Sequence, residues 1–383
     1  MPAMFSPLFS IAFRPFFLLA GWFSAAWMLI WLVYLTKGTP SLGSVNPILW
    51  HGHEMLFGFA AAVIAGFTLT AVQNWTGLTS TTPGSLAALV LLWLLARLGF
   101  LLPELVPLWL ISLVDLAFFP VLGWMMGRVL FRARNRNNYV LLAIFAAFTI
   151  LNLLIHLELH GIIHGAGQAA LQGAVYLMAL LLVFMGGRVI PFFTSRRLPE
   201  LRVREWPWLN GSTLAVTLAL LPAFLWLGQS PALAPLLLVA AALNVARLLA
   251  WNPWGVRRVP LLWVLHLGYF WLPVGFALHA AHLLGAPLTW SLGVHALMVG
   301  ALGGLALGMM ARVSLGHTGR PLEAHPLMVF AFGLITLAAI ARLGMAFFPV
   351  LGGLLIASVL LWSLAFAIFA IFYTPILLTP RKS

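Results

Sequence analysis

Runs of about twenty apolar residues recur along the whole chain, separated by proline, glycine or small groups of arginines. A helix that crosses a bilayer needs roughly 20 such residues, because the hydrocarbon core is about 30 Å thick. Soluble domains carry about 25% charged residues. Here the share is 7%, against 63% hydrophobic, and no water-soluble fold needs so little charge. The runs fall at roughly 16–35, 51–73, 84–102, 107–128, 138–158 and 169–191, then at 210–228, 231–250, 260–284, 288–312, 325–347 and 350–378. They predict an all-α polytopic membrane helix bundle of about twelve transmembrane helices, one integral membrane domain over 1–383 with tight loops near Pro231 and Pro349. Pro2, Phe5 and Pro7 open the chain without a basic n-region, so the first run reads as a retained span rather than a cleaved signal.

Arginines set the expected orientation. Arg128, Arg132, Arg134 and Arg136 share one inter-helix loop, and Arg188, Arg196, Arg197, Arg202 and Arg204 cluster at the next but one. Arg257 and Arg258, Arg312 and Arg320, and Arg381 and Lys382 follow at the same parity, whereas the opposite loops hold little beyond Lys37. By the positive-inside rule these loops and both termini are cytoplasmic. The net charge of +13 is therefore read as topology, in contact with membrane lipid, and not as a nucleic-acid footprint. Zero cysteines exclude disulfides, iron–sulfur clusters and thiolate ligation, leaving His, Met, Asp and Glu as metal ligands.

Parts of the sequence repeat. His53, Gly58, Gly66, Thr76 and Gly77 recur 242 residues later as His295, Gly300, Gly308, Thr318 and Gly319. Ala96-Arg97-Leu98-Gly99 returns as Ala341-Arg342-Leu343-Gly344, and Arg188, Val189, Thr194 and Arg196 as Arg312, Val313, Thr318 and Arg320. Three parallel four-helix repeats, 1–135, 136–255 and 256–383, explain these offsets.

On this topology His51, His53, His156, His160, His164, His279, His282 and His295 gather at the outer ends of helices. Ionisable groups at membrane depth are costly and mark function, and histidine is the commonest metal ligand and an axial ligand of heme. Any one of them is equally well a ring resting at headgroup level; the cluster is less easily explained so. His51 and His53 point to nearly opposite sides of a helix, so they serve different surroundings, with His53 the inward ligand. Glu54 has three open roles: orienting a ligating histidine, relaying protons, or pairing with an arginine. His156, His160 and His164 stand four apart on one face, with Asn152 a turn deeper, but Gly161 and Gly165 end the helix near His160. His295 occupies the position of His53 in the repeat, and the two would clamp one heme iron if they faced each other. The glycines of 293–308 suit close packing, or alternatively a flat macrocycle.

There is no P-loop, GxSxG elbow, HExxH or Rossmann fingerprint. What is present resembles a known family. The blocks are Phe13-Arg14-Pro15-Phe16-Phe17, His51-Gly52-His53-Glu54-Met55-Leu56-Phe57-Gly58 with Asn74-Trp75-Thr76-Gly77, and Gly187-Arg188-Val189-Ile190-Pro191-Phe192-Phe193-Thr194. His266-Leu267-Gly268-Tyr269 with Trp271, His295, Gly308-Met309-Met310-Ala311-Arg312 and Leu315-Gly316-His317-Thr318-Gly319-Arg320 complete them. Together they resemble the NnrS proteins, bacterial membrane proteins of denitrification and the nitric oxide response. The resemblance implies a protein of the inner (cytoplasmic) membrane, with heme b and copper, that meets nitric oxide and protects against nitrosative stress. Its motifs coincide with His51, His53, Glu54, His266, His295 and His317. The cofactor-binding candidates are then His53, His295, His51 and His266, the metal candidates His51, His53, His156, His160, His295 and His317, and the candidate catalytic group Glu54. Three functions remain open: a nitric oxide-reacting heme oxidoreductase with an unidentified electron donor, a sensor or binding protein without turnover, and a transporter. The scarcity of buried charge other than histidine counts against the last.

Overall fold

The computed structural model describes residues 7–38, 46–348 and 352–382; Pro2, Phe5 and the break near Pro349 lie outside them. Among the described residues every regular element is helical, and twelve helices are long and apolar enough to cross a membrane. They are α1 (Phe13–Lys37), α2 (Pro47–Thr76), α3 (Pro83–Leu101), α4 (Leu108–Arg132), α5 (Arg136–Leu159) and α6 (Ala166–Arg197). After them come α7 (Pro207–Leu227), α8 (Pro231–Ala250), α9 (Pro260–Leu283), α10 (Trp290–His317), α11 (Pro326–Gly344) and α12 (Gly353–Leu378). The chain is a multi-pass membrane protein.

Local chemistry sets the helix ends. α2 starts where the Asn46 side chain accepts from the Ile48 and Leu49 N–H groups, with Pro47 in its first turn. It stops at Gly77, whose φ of 69° suits a residue without Cβ and whose N–H bonds the Gln73 carbonyl. A reciprocal Thr82–Ser85 capping box opens α3. α6 and α10 run past the apolar windows that end at 191 and 312, reaching Arg197 and His317. Arginines do not end them because their guanidinium groups lie over aromatic rings, Arg188 on Phe184, Arg196 on Phe192 and Arg312 on Phe193.

Among the described residues two helices contain a π segment, Glu54–Ala60 in α2 and Ala296–Gly303 in α10. Each begins on the residue after a histidine, His53 or His295. An inserted residue of this kind re-aims the side chains before it relative to those after it. We propose that the shared segment is a trace of the 242-residue repeat.

The helices form two compact units: Met1–Ala174 with Val313–Arg320 and Ala370–Ser383, and Val175–Arg312 with Pro321–Phe369. In the first, Trp27, Trp31, Trp50, Phe100 and Ile111 build an aromatic core. The buried Arg14 guanidinium donates to the carbonyls of Leu377 (2.9 Å) and Thr379 (2.6 Å). In the second, α9 meets α10 backbone to backbone, since a Cβ on Gly268 would lie 2.9 Å from the Leu305 nitrogen. His279 packs on Gly293, Trp271 on Gly300 and Trp362 on Gly303. The glycine-rich face is filled by these side chains and leaves no surface for a flat macrocycle.

Candidate metal centre

The π turn of α2 directs His53 and Glu54 into the first unit side by side. α3 supplies Arg97, α4 supplies Ser112 and Asp115, and α5 supplies Asn152 and His156; none of these is more than 6% exposed. Ser112 and Asp115 are three apart, Asn152 and His156 four, so each pair shares a helix face. His53 Nε2 lies 3.2 Å from Asp115 Oδ2 and 3.0 Å from Asn152 Oδ1. His156 Nε2 is 3.0 Å from the same Asp115 oxygen. One ligand atom from each of His53, Asp115 and His156 lies within 4.8 Å of the other two.

The outer nitrogens decide what the inner ones offer. His156 Nδ1 is 2.8 Å from Ser112 Oγ, and that hydroxyl donates to the Leu108 carbonyl at 2.9 Å. The serine oxygen therefore accepts, Nδ1 carries the proton, and Nε2 keeps its lone pair. His53 Nδ1 faces Glu54 Oε1 at 2.9 Å, which places its proton there and leaves the Nε2 lone pair toward oxygens that only accept. Two lone pairs and a carboxylate converging on one point repel unless a cation lies between them. The charges agree: Glu54 and Asp115 bring two negative charges, and Arg97 brings one positive, 2.5 Å from Glu54 and also paired with Asp115. A cation would offset the remaining charge. A carboxylate behind one ligating imidazole and a hydroxyl behind the other is the usual outer shell of a metal site.

Aromatic rings wall the cluster. Phe57 stacks on His53 at 5.0 Å between centroids, and Phe100 lies at 4.7 Å. Phe57 meets Phe119 and Phe148, themselves stacked at 4.9 Å. Phe119 also lines a groove of about 700 Å³ together with Gly123, Trp124, Phe145 and Ile150.

Residues 7–381, nearly the whole chain, match the family described as NnrS protein. The chain belongs to the NnrS family. No curated relative matches it. Family membership supports a membrane protein of the nitric oxide response, and the buried cluster is a place in it where a metal ion fits.

Of the residues singled out from the sequence, His53, Glu54, Asn152 and His156 come together here. His51 stacks on Trp31 at 4.5 Å, so the two histidines of the family's His-Gly-His motif do serve different surroundings. His160 follows α5 and reaches Ser112 Oγ at 2.9 Å, behind His156. His164 is exposed, and His317 lies against Phe13 at 5.5 Å in the same unit. In the second unit His279 stacks on Trp290 at 3.8 Å and meets the Tyr176 hydroxyl at 3.0 Å, and His282 Nδ1 faces the Leu288 carbonyl at 2.6 Å. His295 Nδ1 lies 2.7 Å from the Ser291 carbonyl. His266 Nδ1 donates to the Leu262 carbonyl at 3.0 Å, and its buried Nε2 has no hydrogen-bond partner among the described residues.

Asp115, Arg97 and Ser112 were not among the sequence candidates. Asp115 had a signal, being the sole aspartate of the chain and standing inside an apolar run. The expected scarcity of buried charge is corrected as well, since Arg14, Glu54, Arg97, Asp115, Arg247 and Arg312 are all buried.

Proposed function

We propose that this protein binds one copper ion through His53, Asp115 and His156 and uses that centre to capture nitric oxide in the membrane. The observation that carries the reading is the convergence of two imidazole Nε2 atoms on Asp115 while both outer Nδ1 atoms are committed to Glu54 and Ser112. Two imidazoles and a carboxylate suit copper or zinc by donor type, and the family favours copper. The same cluster does not suit a heme. Asp115 and Asn152 fill the space between the two imidazoles where a macrocycle would have to lie. We assign the heme that the family resemblance implies to His266 in the second unit. A proton on His266 Nδ1 leaves Nε2 in the state an axial ligand needs.

When bound, copper supplies a coordination site for a small neutral ligand and a one-electron couple. The residues do the rest. Arg97 pairs with Glu54 and Asp115 and holds both in place, Glu54 and Ser112 fix the imidazole tautomers, and Phe57 and Phe100 exclude water. Glu54 Oε2 is buried without a partner among the described residues, so it is the atom placed to take or give a proton if ligand reduction needs one. Nitric oxide is neutral and partitions into lipid, so the groove at Phe119 offers it a route from the bilayer that ends two rings from His53.

Elemental analysis of the purified, detergent-solubilised protein tests the reading. About one copper per chain is expected in the wild type, with less than a tenth of that in His53→Ala, His156→Ala and Asp115→Asn. Unchanged copper in all three, with each variant monodisperse, would sink the assignment.

A further inference from the structure

The second unit holds a buried cation of its own. Arg247, near the end of α8, is 3% exposed, yet no ion pair among the described residues involves it. The acids of this unit, Glu200, Glu205 and Glu323, are all exposed loop residues. Neutral acceptors orient the guanidinium instead: Nε donates to Asn210 Oδ1 at 2.7 Å, and Nη1 to the Val183 carbonyl at 3.0 Å and the Tyr269 hydroxyl oxygen at 3.3 Å. That hydroxyl gives its own proton to Asn244 Oδ1 at 2.6 Å, and Asn244 is anchored by donating to the Ala240 carbonyl at 2.8 Å. The network fixes the group's position and leaves its charge uncompensated. Nη2 has no hydrogen-bond partner among the described residues. It lies over Gly187, where a Cβ would collide with it. Trp251 lies beside the guanidinium at 5.3 Å.

A guanidinium at membrane depth costs several kcal/mol unless an opposite charge accompanies it. The surroundings point to where that charge comes from. The Arg204 N–H bonds the Ala250 carbonyl at 2.9 Å, bringing the α6–α7 loop onto the end of α8. This loop and the α8–α9 loop carry Arg202, Arg204, Arg257 and Arg258 against Glu200 and Glu205, a field that concentrates anions. We infer that Arg247, with Nη2 as the remaining donor, is a binding site for one small monovalent anion of the nitrate or bromide class. A single positive charge matches a single negative one. The site is independent of the metal centre.

The test uses the full-length protein in a neutral detergent, titrated with sodium nitrate at ionic strength held constant with gluconate, and read by thermal unfolding and calorimetry. A saturable rise in Tm is expected in the wild type. It should vanish in Arg247→Gln and weaken at least tenfold in Gly187→Ala, which displaces the guanidinium; Arg258→Gln on the loop should bind within about twofold of wild type. If Arg247→Gln does not fold, bromide soaked into crystals of the wild type decides, with an anomalous peak beside Nη2 expected. A linear response identical in wild type and Gly187→Ala, or bromide found only elsewhere, would overturn the proposal. A nitrate response that disappears once the preparation is loaded with heme would reassign the guanidinium to a cofactor carboxylate and overturn it equally.

Discussion

One guanidinium serves two carboxylates at Arg97, and that sharing makes it the most sensitive residue of the metal centre. Removing one partner of a buried ion pair typically costs about 3–5 kcal/mol, because the other charge stays buried alone. Arg97→Met is therefore expected to unfold the first unit or cut its yield several-fold. The double variant Arg97→Met/Glu54→Gln should recover much of the folded protein, as read by size exclusion and Tm. A double variant no better than the single one would show that Arg97 acts through packing. Ser112 is a gentler case. Ser112→Ala removes the acceptor behind His156, along with the hydroxyl that His160 reaches, and a loss of this kind costs about 10- to 100-fold in metal affinity. Copper competition with a chelator should show it at unchanged Tm. At this scale sequence reasoning found the histidines and Glu54, since spacing along one helix is visible in a string of letters. It passed over Asp115, Arg97 and Ser112 because their role depends on three helices converging, which no local spacing encodes.

Within the helices, the π turn after His53 aims the ligand. One residue turns an α-helix by about 100°. Deleting Met55 should let Glu54–Ala60 relax to regular α-helix and rotate His53 and Glu54 away from Asp115. The expected result is a folded protein, by tryptophan fluorescence and elution volume, that has lost its copper. Full copper retention would show that the turn does not set the site. The twelve helices themselves were legible from apolar runs, with the largest errors at the ends of α6 and α10, where arginines lie over aromatic rings and the helix continues. The π turns were not legible, because a helix that is apolar all round carries no face periodicity in which an extra residue could show.

Across the whole molecule, arginine parity makes a topological claim that the absence of cysteine renders easy to check. Single cysteines at Arg202 and Lys37 should react with an impermeant maleimide from opposite sides, Arg202→Cys only after the inner face is opened and Lys37→Cys in intact cells. Labelling of both from one side would refute the orientation. The division into two units was beyond sequence reading, since residues 313–320 and 370–383 join the first 174 through contacts far apart in the chain. Arg14 illustrates what this means for assembly. Its acceptors, the Leu377 and Thr379 carbonyls, belong to α12 and the segment just after it, so the ribosome makes them 363 and 365 residues after Arg14. The unit that houses the candidate metal centre thus stays open until α12 has been made, and its first helix waits in the bilayer with an unpartnered guanidinium. A nascent chain cut short before α12 would leave that charge exposed to quality control, so the closing contact also registers that the twelfth helix has been made.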